Sequence, residues 1–270
     1  MRSEIDRAMV DRAFAEYAAG YDADNIKIRL KIDHTYRVAS FTERIAESLS
    51  LDRADVDFAW LSGMLHDIGR FEQLKRYGTF IDRLSVDHAE LGADILFHDG
   101  LIGSFMEKGK DGARETMMER AIRLHNKLTL PEDLDDETRM FSDILRDADK
   151  CDIFRVLTEP PFDERNGKIV QTKDPARDSV MQYVRMHRCV PKNTEYTAFE
   201  GLIAQCCMAF ELVYPESRRI LKEQGYLDTL MNLELQGEPA KQMAALKDEL
   251  KKAFEAMTNG SAKGRKDGTV

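Results

Sequence analysis

The sequence predicts an all-α fold. Along much of its 270 residues, apolar side chains recur at three- and four-residue steps, the spacing that gives a helix one buried face. Valine, isoleucine and threonine are not gathered into the alternating runs that are typical of strands. Glycine and proline fall at intervals that suit helical hairpins. We therefore expect a bundle of helices.

Three helices are predicted at the start of the chain. The first covers residues 3–19 and the second residues 25–48. The third is capped near Asp52, because a side-chain acceptor there can satisfy the free backbone N–H groups of a helix start. Its far end carries an adjacent His66-Asp67 pair. Such polar side chains at the end of an apolar helix are costly unless they are paired or bind a ligand.

The next part of the chain is predicted to alternate loops and helices. Residues 70–84 are rich in charged and aromatic side chains, and we interpret them as a loop. Ser85 is the predicted N-cap of the following helix, with His88 in its first turn. Two more helices are expected over residues 115–127 and 136–157, the second stopped by a Pro-Pro pair.

Beyond residue 161 the predicted helices are shorter and a turn-rich segment comes first, with Asp174 as a candidate N-cap. These helices are expected at 176–188, 196–213, 215–224, 226–235 and 239–257. We predict three parts: a helical core over 1–161, additional helices packed on it over 162–257, and a disordered tail over 258–270.

The composition argues against several classes of function. The formal net charge of −9 argues against a protein that binds a nucleic-acid groove, because neutralising phosphates requires a basic surface. No apolar stretch is long enough to span a membrane, and no export signal is visible at the start of the sequence. The four cysteines lack the spacing of a disulfide framework or of a thiolate metal site. We expect a cytoplasmic protein, and the sequence leaves its oligomeric state open.

Histidines and aspartates with metal-binding chemistry follow each other along the first part of the chain, near helix ends or breaks. They are His34, His66, Asp67, His88, His125 and Asp149. Imidazole nitrogens with carboxylate oxygens suit iron, manganese, cobalt, nickel or zinc better than calcium or magnesium. Because a carboxylate has two oxygens, Asp67 can bridge two metal ions. Two such ions can hold a bridging hydroxide and clamp the oxygens of an in-line displacement.

This order of ligands resembles the HD superfamily of metal-dependent phosphohydrolases, in particular its two-metal branch. LHDIGR at 65–70 is similar to the family's LHDIGK, and DHAELGADIL at 87–96 to its H-x-x-x-G-A-x-x-L segment. RDADKCD at 146–152 is similar to its A-D-x-x-D helix, which implies that Asp149, rather than Asp147, is the ligand. The resemblance covers roughly residues 30–157.

The resemblance implies an HD-domain helical bundle that hydrolyses a phosphoester or phosphoanhydride with two divalent transition metals. The implied substrate is a nucleotide or another small phosphorylated metabolite. Arg70 stands where the family often has lysine, and its planar guanidinium suits a phosphate oxygen. We therefore expect Asp67 and Arg70 to act in catalysis. The two-metal branch includes the HD-GYP phosphodiesterases, which hydrolyse cyclic dinucleotides. Their GYP extension is missing here, so a cyclic dinucleotide is not the implied substrate.

Two other functions share these residues. The same ligand order resembles the mixed-valent di-iron oxygenases of the superfamily, and a non-catalytic metal- or ligand-binding regulatory module is the second alternative. Outside the ligand set, we interpret His98 and His187 as non-catalytic and Lys150 as structural. Lys127 is a weaker candidate than Arg70 for contact with phosphate.

Overall fold

The computed structural model describes residues 5–107, 111–160, 169, 172–191 and 195–259. Regular structure within these ranges is helical, with no strand among them, so the all-α prediction is confirmed. The chain divides into two compact units, the first ending at Pro161 and the second beginning at Phe162. The last helix ends at Asn259, and residues 260–270 of the predicted disordered tail lie outside the described residues.

The helices of the first unit are α1 (Arg7–Ala19), α2 (Ile26–Ser48), α3 (Arg53–Leu65), α4 (Ile68–Tyr77), α5 (His88–Ala93), α6 (Gly112–Leu124) and α7 (Asp136–Val156). A 3-10 turn at Asp82–Leu84 precedes α5, and a π-helical turn at Asp94–His98 continues it. Most of these helices begin after an aspartate or asparagine whose side chain accepts a backbone N–H, as Asp52 does from Asp55 before α3.

Helix α3 forms the centre of the first unit. All its residues from Val56 to Leu65 are buried, as expected for a helix that other elements surround on every side. It packs against α2 and α7. Gly63 allows the close approach to α2, because a Cβ atom there would lie 2.6 Å from the Cα atom of Ala39. The C-terminal end of α3 is thereby held against α2.

The interpretation of residues 70–84 as a loop is wrong over its first half, where α4 extends to Tyr77. Ile68, Phe71 and Leu74 are buried at three-residue steps, and this stripe was obscured by the charged residues between them. Gly78 ends the helix in a left-handed conformation with φ 68°.

The predicted N-cap of α5 is also wrong. Asp87, and not Ser85, accepts the free backbone N–H groups of Ala89 and Glu90. The Ser85 hydroxyl instead donates to the carbonyl of Ile81. Because Asp87 is the cap, His88 becomes the first residue of the helix.

The second unit contains α8 (Asp178–Arg185), α9 (Ala198–Cys206), α10 (Pro215–Gln224), α11 (Tyr226–Met231) and α12 (Gly237–Asn259). Helix α8 begins after Arg177 and not after the predicted cap Asp174. Thr197 and Glu200 form a capping box at the start of α9. The expectation that these helices pack on the first unit stays a prediction. Throughout the part of the chain that is described, no helix has the length and apolar character needed to cross a bilayer.

Candidate metal centre

Six side chains, one from each of six helices or their ends, meet inside the first unit. They are His34 in α2, His66 directly after α3, Asp67 directly before α4, His88 at the start of α5, His125 directly after α6 and Asp149 in α7. All four histidines and Asp67 are buried. The structure therefore brings together every residue that the sequence nominates as a metal ligand.

The first group of ligand atoms surrounds one point between α2, α3 and α7. The Nε2 atom of His34 lies 3.2 Å from the Nε2 atom of His66 and 3.2 Å from Oδ1 of Asp149. Oδ2 of Asp67 lies 3.4 Å from the same His34 nitrogen and 3.5 Å from that of His66. Ligands about 2.0–2.2 Å from one ion are separated from each other by about 3.0–3.5 Å, so these spacings fit a single divalent ion.

The second group involves the other oxygen of the same aspartate. The Nε2 atoms of His88 and His125 lie 3.0 Å apart. Oδ1 of Asp67 is 3.6 Å from His88 Nε2 and 3.8 Å from His125 Nε2. Asp67 thus presents one oxygen to each pair of histidines, which is the arrangement of a bridging carboxylate.

Backbone carbonyls determine the tautomers of two of the rings. His66 Nδ1 lies 2.7 Å from the carbonyl oxygen of Gly63, and His125 Nδ1 lies 2.7 Å from that of Ile122. A carbonyl can only accept, so each Nδ1 carries the proton and each Nε2 keeps a lone pair. These lone pairs are directed into the groups described above, as in histidines that bind a metal.

Carboxylates orient the other two rings in the same way. His34 Nδ1 lies 2.8 Å from Oδ2 of Asp152, and His88 Nδ1 lies 2.8 Å from Oδ2 of Asp82. All four imidazoles therefore have an acceptor at Nδ1 and direct Nε2 inward. The donor set fits two divalent transition metals, because neutral imidazole and carboxylate are the ligands these ions prefer.

Burial favours the neutral form of three of these histidines. It lowers the pKa of His66 to about 4 and that of His88 to about 3, and it also lowers the pKa of His125. At His34, burial and Lys31 lower the pKa, but hydrogen bonds that the ring donates to three aspartates outweigh both and raise the pKa to about 10. The carboxylates that favour a proton on His34 would equally favour a metal ion at its Nε2 atom.

Arg70 lies in the first turn of α4, close to the ligands. Its Nη1 donates to Gln73 Oε1, to the Phe80 carbonyl and to Asp82 Oδ1 over 2.8, 2.6 and 2.9 Å. Its Nε is buried without a hydrogen-bond partner and lies 3.6 Å from Oδ1 of Asp67. The guanidinium is therefore held beside the metal centre, and its contact with a phosphate stays a prediction.

Sequence reasoning missed three residues that contact the ligands. Lys31 Nζ lies 2.5 Å from Oδ2 of Asp67, and Asp152 and Asp82 are the acceptors for His34 and His88. Lys31 is three residues before His34 and shares its helix face, a spacing that was available in the sequence. Asp82 was hidden because its segment was interpreted only as a charged loop.

The remaining candidates are not among the grouped ligand atoms of the described residues. Lys127 is paired with Asp87 over 2.6 Å. His98 is exposed at the surface. His187, in the second unit, lies 2.7 Å from Glu249. The interpretation of these two histidines as non-catalytic stays a prediction.

A family model described as an HD domain matches residues 32–154, the span that includes every candidate ligand. Residues 32–154 form an HD domain. Comparison with curated proteins and with solved structures finds no match. The HD superfamily is one of metal-dependent phosphohydrolases, and the matched residues include groups of histidines and aspartates that could hold a metal ion. The family match covers nothing of the second unit.

Proposed function

We propose that this HD protein is a phosphohydrolase with two divalent transition metals in one centre. It would cleave a phosphoester or phosphoanhydride of a nucleotide or another small phosphorylated metabolite. The observation that supports this proposal most directly is the position of Asp67, whose two oxygens face different histidine pairs. A single-metal site would not require His88 and His125 beside the other four residues.

The residues of the chain have separable tasks in this reaction. The four histidines, Asp67 and Asp149 would hold the metals, with Asp67 offering one oxygen to each histidine pair. Bound divalent ions would supply Lewis-acid chemistry, by activating water near neutral pH and neutralising phosphoryl charge. Arg70 would bind a non-bridging phosphoryl oxygen and so position the group and stabilise its charge. The hydrogen bonds at Nδ1 would keep the four imidazole rings in place as charge develops on the phosphoryl group.

Metal analysis and turnover test the proposal together. The full chain, purified without chelators, is analysed for metal content and assayed on phosphomonoesters, phosphodiesters and nucleotides, with and without dioxygen. We expect about two transition-metal ions per chain and release of phosphate or a phosphorylated product that is independent of dioxygen. Turnover that requires dioxygen would identify a di-iron oxygenase instead. Full metal loading with no turnover on the panel would favour the regulatory module.

Paired variants test the ligand assignment within the α7 motif. Asp149→Asn should lose metal and activity, since Asp149 Oδ1 lies 3.2 Å from His34 Nε2. Asp147→Asn is the matched control, because its side chain is buried on the same helix and is not among the grouped ligand atoms. Loss of metal in the Asp147 variant alone would show that the assignment is reversed.

A further inference from the structure

Two cations that are not ligands contact the bridging carboxylate, one at each oxygen. Lys31 Nζ lies 2.5 Å from Oδ2 of Asp67, the oxygen that faces His34 and His66. Arg70 Nε lies 3.6 Å from Oδ1, the oxygen on the side of the other two histidines. Each oxygen of Asp67 therefore has one cation and one pair of imidazoles.

Both cations are themselves held in position. The Lys31 side chain is only 12% exposed, and its Nζ lies 5.7 Å from the centre of the Phe80 ring. Arg70 Cζ lies 5.7 Å from the centre of the same ring. Phe80 is thus a common aromatic surface for the two cations, with the geometry of paired cation–π contacts. Lys31 also projects from the helix that carries His34, which limits how far it can move relative to that ligand.

We propose that Lys31 is a positioning residue of the metal centre, which together with Arg70 determines the orientation of the Asp67 carboxylate. An aspartate torsion about the Cβ–Cγ bond is broad, so the side chain alone does not decide which way its oxygens point. A cation on each oxygen removes that freedom. Each carboxylate oxygen has two lone pairs, so one remains for a metal after the cation is bound.

Lys31 also supplies a charge that the site requires. Asp67 is buried, and a buried carboxylate is strongly unfavourable unless an opposite charge lies close to it. Arginine can place a cation at the same oxygen, whereas methionine fills similar space without charge. The role of Lys31 therefore depends on its charge and on its contact with Oδ2, and both can be varied separately from the packing of α2.

The inference rests on the proposed two-metal centre. Its test measures metal binding directly and does not depend on turnover. Lys31→Met, Lys31→Arg and the parent protein are titrated with Mn²⁺, and the bound ions are followed by stoichiometry and by electron paramagnetic resonance. In Lys31→Met we expect a roughly 10–100-fold weaker apparent Mn²⁺ affinity, the usual cost of losing a residue that orients a ligand. The exchange-coupled signal of paired ions should give way to that of isolated ions, and Lys31→Arg should restore it.

Lys75→Met is the matched control. Lys75 is exposed and, like Lys31, has its ammonium over an aromatic ring, 5.4 Å from the centre of Tyr21. This variant should retain the parental affinity and the coupled signal. If Lys31→Met does not fold by circular dichroism, Lys31→Gln replaces it, since glutamine keeps a donor but loses the charge. Parental Mn²⁺ affinity and an unchanged coupled signal in the uncharged variant would overturn the proposal.

The two proposals fail in different ways. A parent protein that binds paired Mn²⁺ ions but hydrolyses no phosphorylated compound would contradict the phosphohydrolase and leave the Lys31 comparison valid. A parent that hydrolyses phosphate esters while Lys31→Met keeps both ions coupled would contradict only the role of Lys31. A parent protein that binds a single Mn²⁺ ion, with no coupled signal, would overturn the proposal that Lys31 orients a carboxylate shared by two ions.

Discussion

The Nε2 atoms of His88 and His125 lie 3.0 Å apart while both rings direct Nδ1 towards acceptors elsewhere, Asp82 and the Ile122 carbonyl. With both protons on Nδ1, neither Nε2 has a hydrogen to donate to the other. Two lone pairs at this separation repel unless a cation lies beside them. We therefore interpret the pair as a candidate metal-binding feature rather than as a hydrogen bond within the core.

Metal binding by the second group of ligand atoms should depend on His125. In His125→Ala we expect one of two metal ions to be lost, with the other retained by the first group of ligands, and a large fall in kcat. Elemental analysis of the folded variant measures this. His98→Ala is the control, because His98 is exposed and hydrogen-bonds its neighbour Asp99. Two retained ions and normal turnover in His125→Ala would contradict the two-metal centre.

In protein that is fully loaded with metal, loss of Arg70 should lower the rate of hydrolysis. Replacing it by alanine should lower kcat/KM roughly 10²–10³-fold, by analogy with the loss of one donor to a developing oxyanion. Arg70→Lys should keep part of the rate, since it keeps charge but not the planar pair of donors. Arg76→Ala is the control, as Arg76 is exposed and pairs with Glu72 over 2.6 Å. A kcat/KM within about twofold of the parent would leave phosphate contact to another cation.

Gly69 should be required for the spacing between α4 and α5. A Cβ atom at Gly69 would clash with the carbonyl oxygen of His88 and lie 2.6 Å from the backbone nitrogen of Gly92. We expect Gly69→Ala to lower the free energy of unfolding by about 1–3 kcal/mol. The substitution should also weaken metal binding, because it would push His88 away from Asp67. Gly103→Ala is the control, since nothing lies within 4 Å of its Cβ position. Equal metal affinity in both variants would contradict this account.

Glu200 should make the second unit sensitive to acid. A hydrogen bond from Arg177, which outweighs burial, together with the backbone N–H groups of Arg177 and Thr197, lowers the pKa of Glu200 to about 2. Its pKa in the unfolded chain is about 4.3. The stabilisation is therefore present above pH 4.3 and is lost as the pH falls through 4.3 towards about 2.

Hydrogen exchange of the α9 amides at several pH values can measure this effect. Glu200→Gln should reduce protection at pH 7, and the difference from the parent should shrink as the pH approaches 2. Glu195→Gln is the control, because the Glu195 side chain is exposed. A difference between parent and Glu200→Gln that does not change with pH would show that charge on Glu200 is not responsible.

Local rules were sufficient for most of the helices and for nominating the candidate ligands. Caps such as Asn25 and Asp52 act within three residues of a helix start, and the apolar stripe of α2 is a property of its own sequence. Helix α4 was missed because its buried stripe has only three apolar positions between charges. The six nominated ligands come from ordered motifs, and their binding of metal stays a prediction.

Which atoms face each other was decided by tertiary packing. Lys31 meets Asp67 across 36 residues of chain, and Asp152 meets His34 across 118. No local pattern encodes such contacts, because they depend on how α2, α4 and α7 pack together. The sequence by itself determined that this chain is helical and carries histidines and aspartates in the order typical of an HD domain. Only the tertiary structure decided that Asp67 presents one oxygen to each histidine pair, since these histidines come from helices far apart in the sequence.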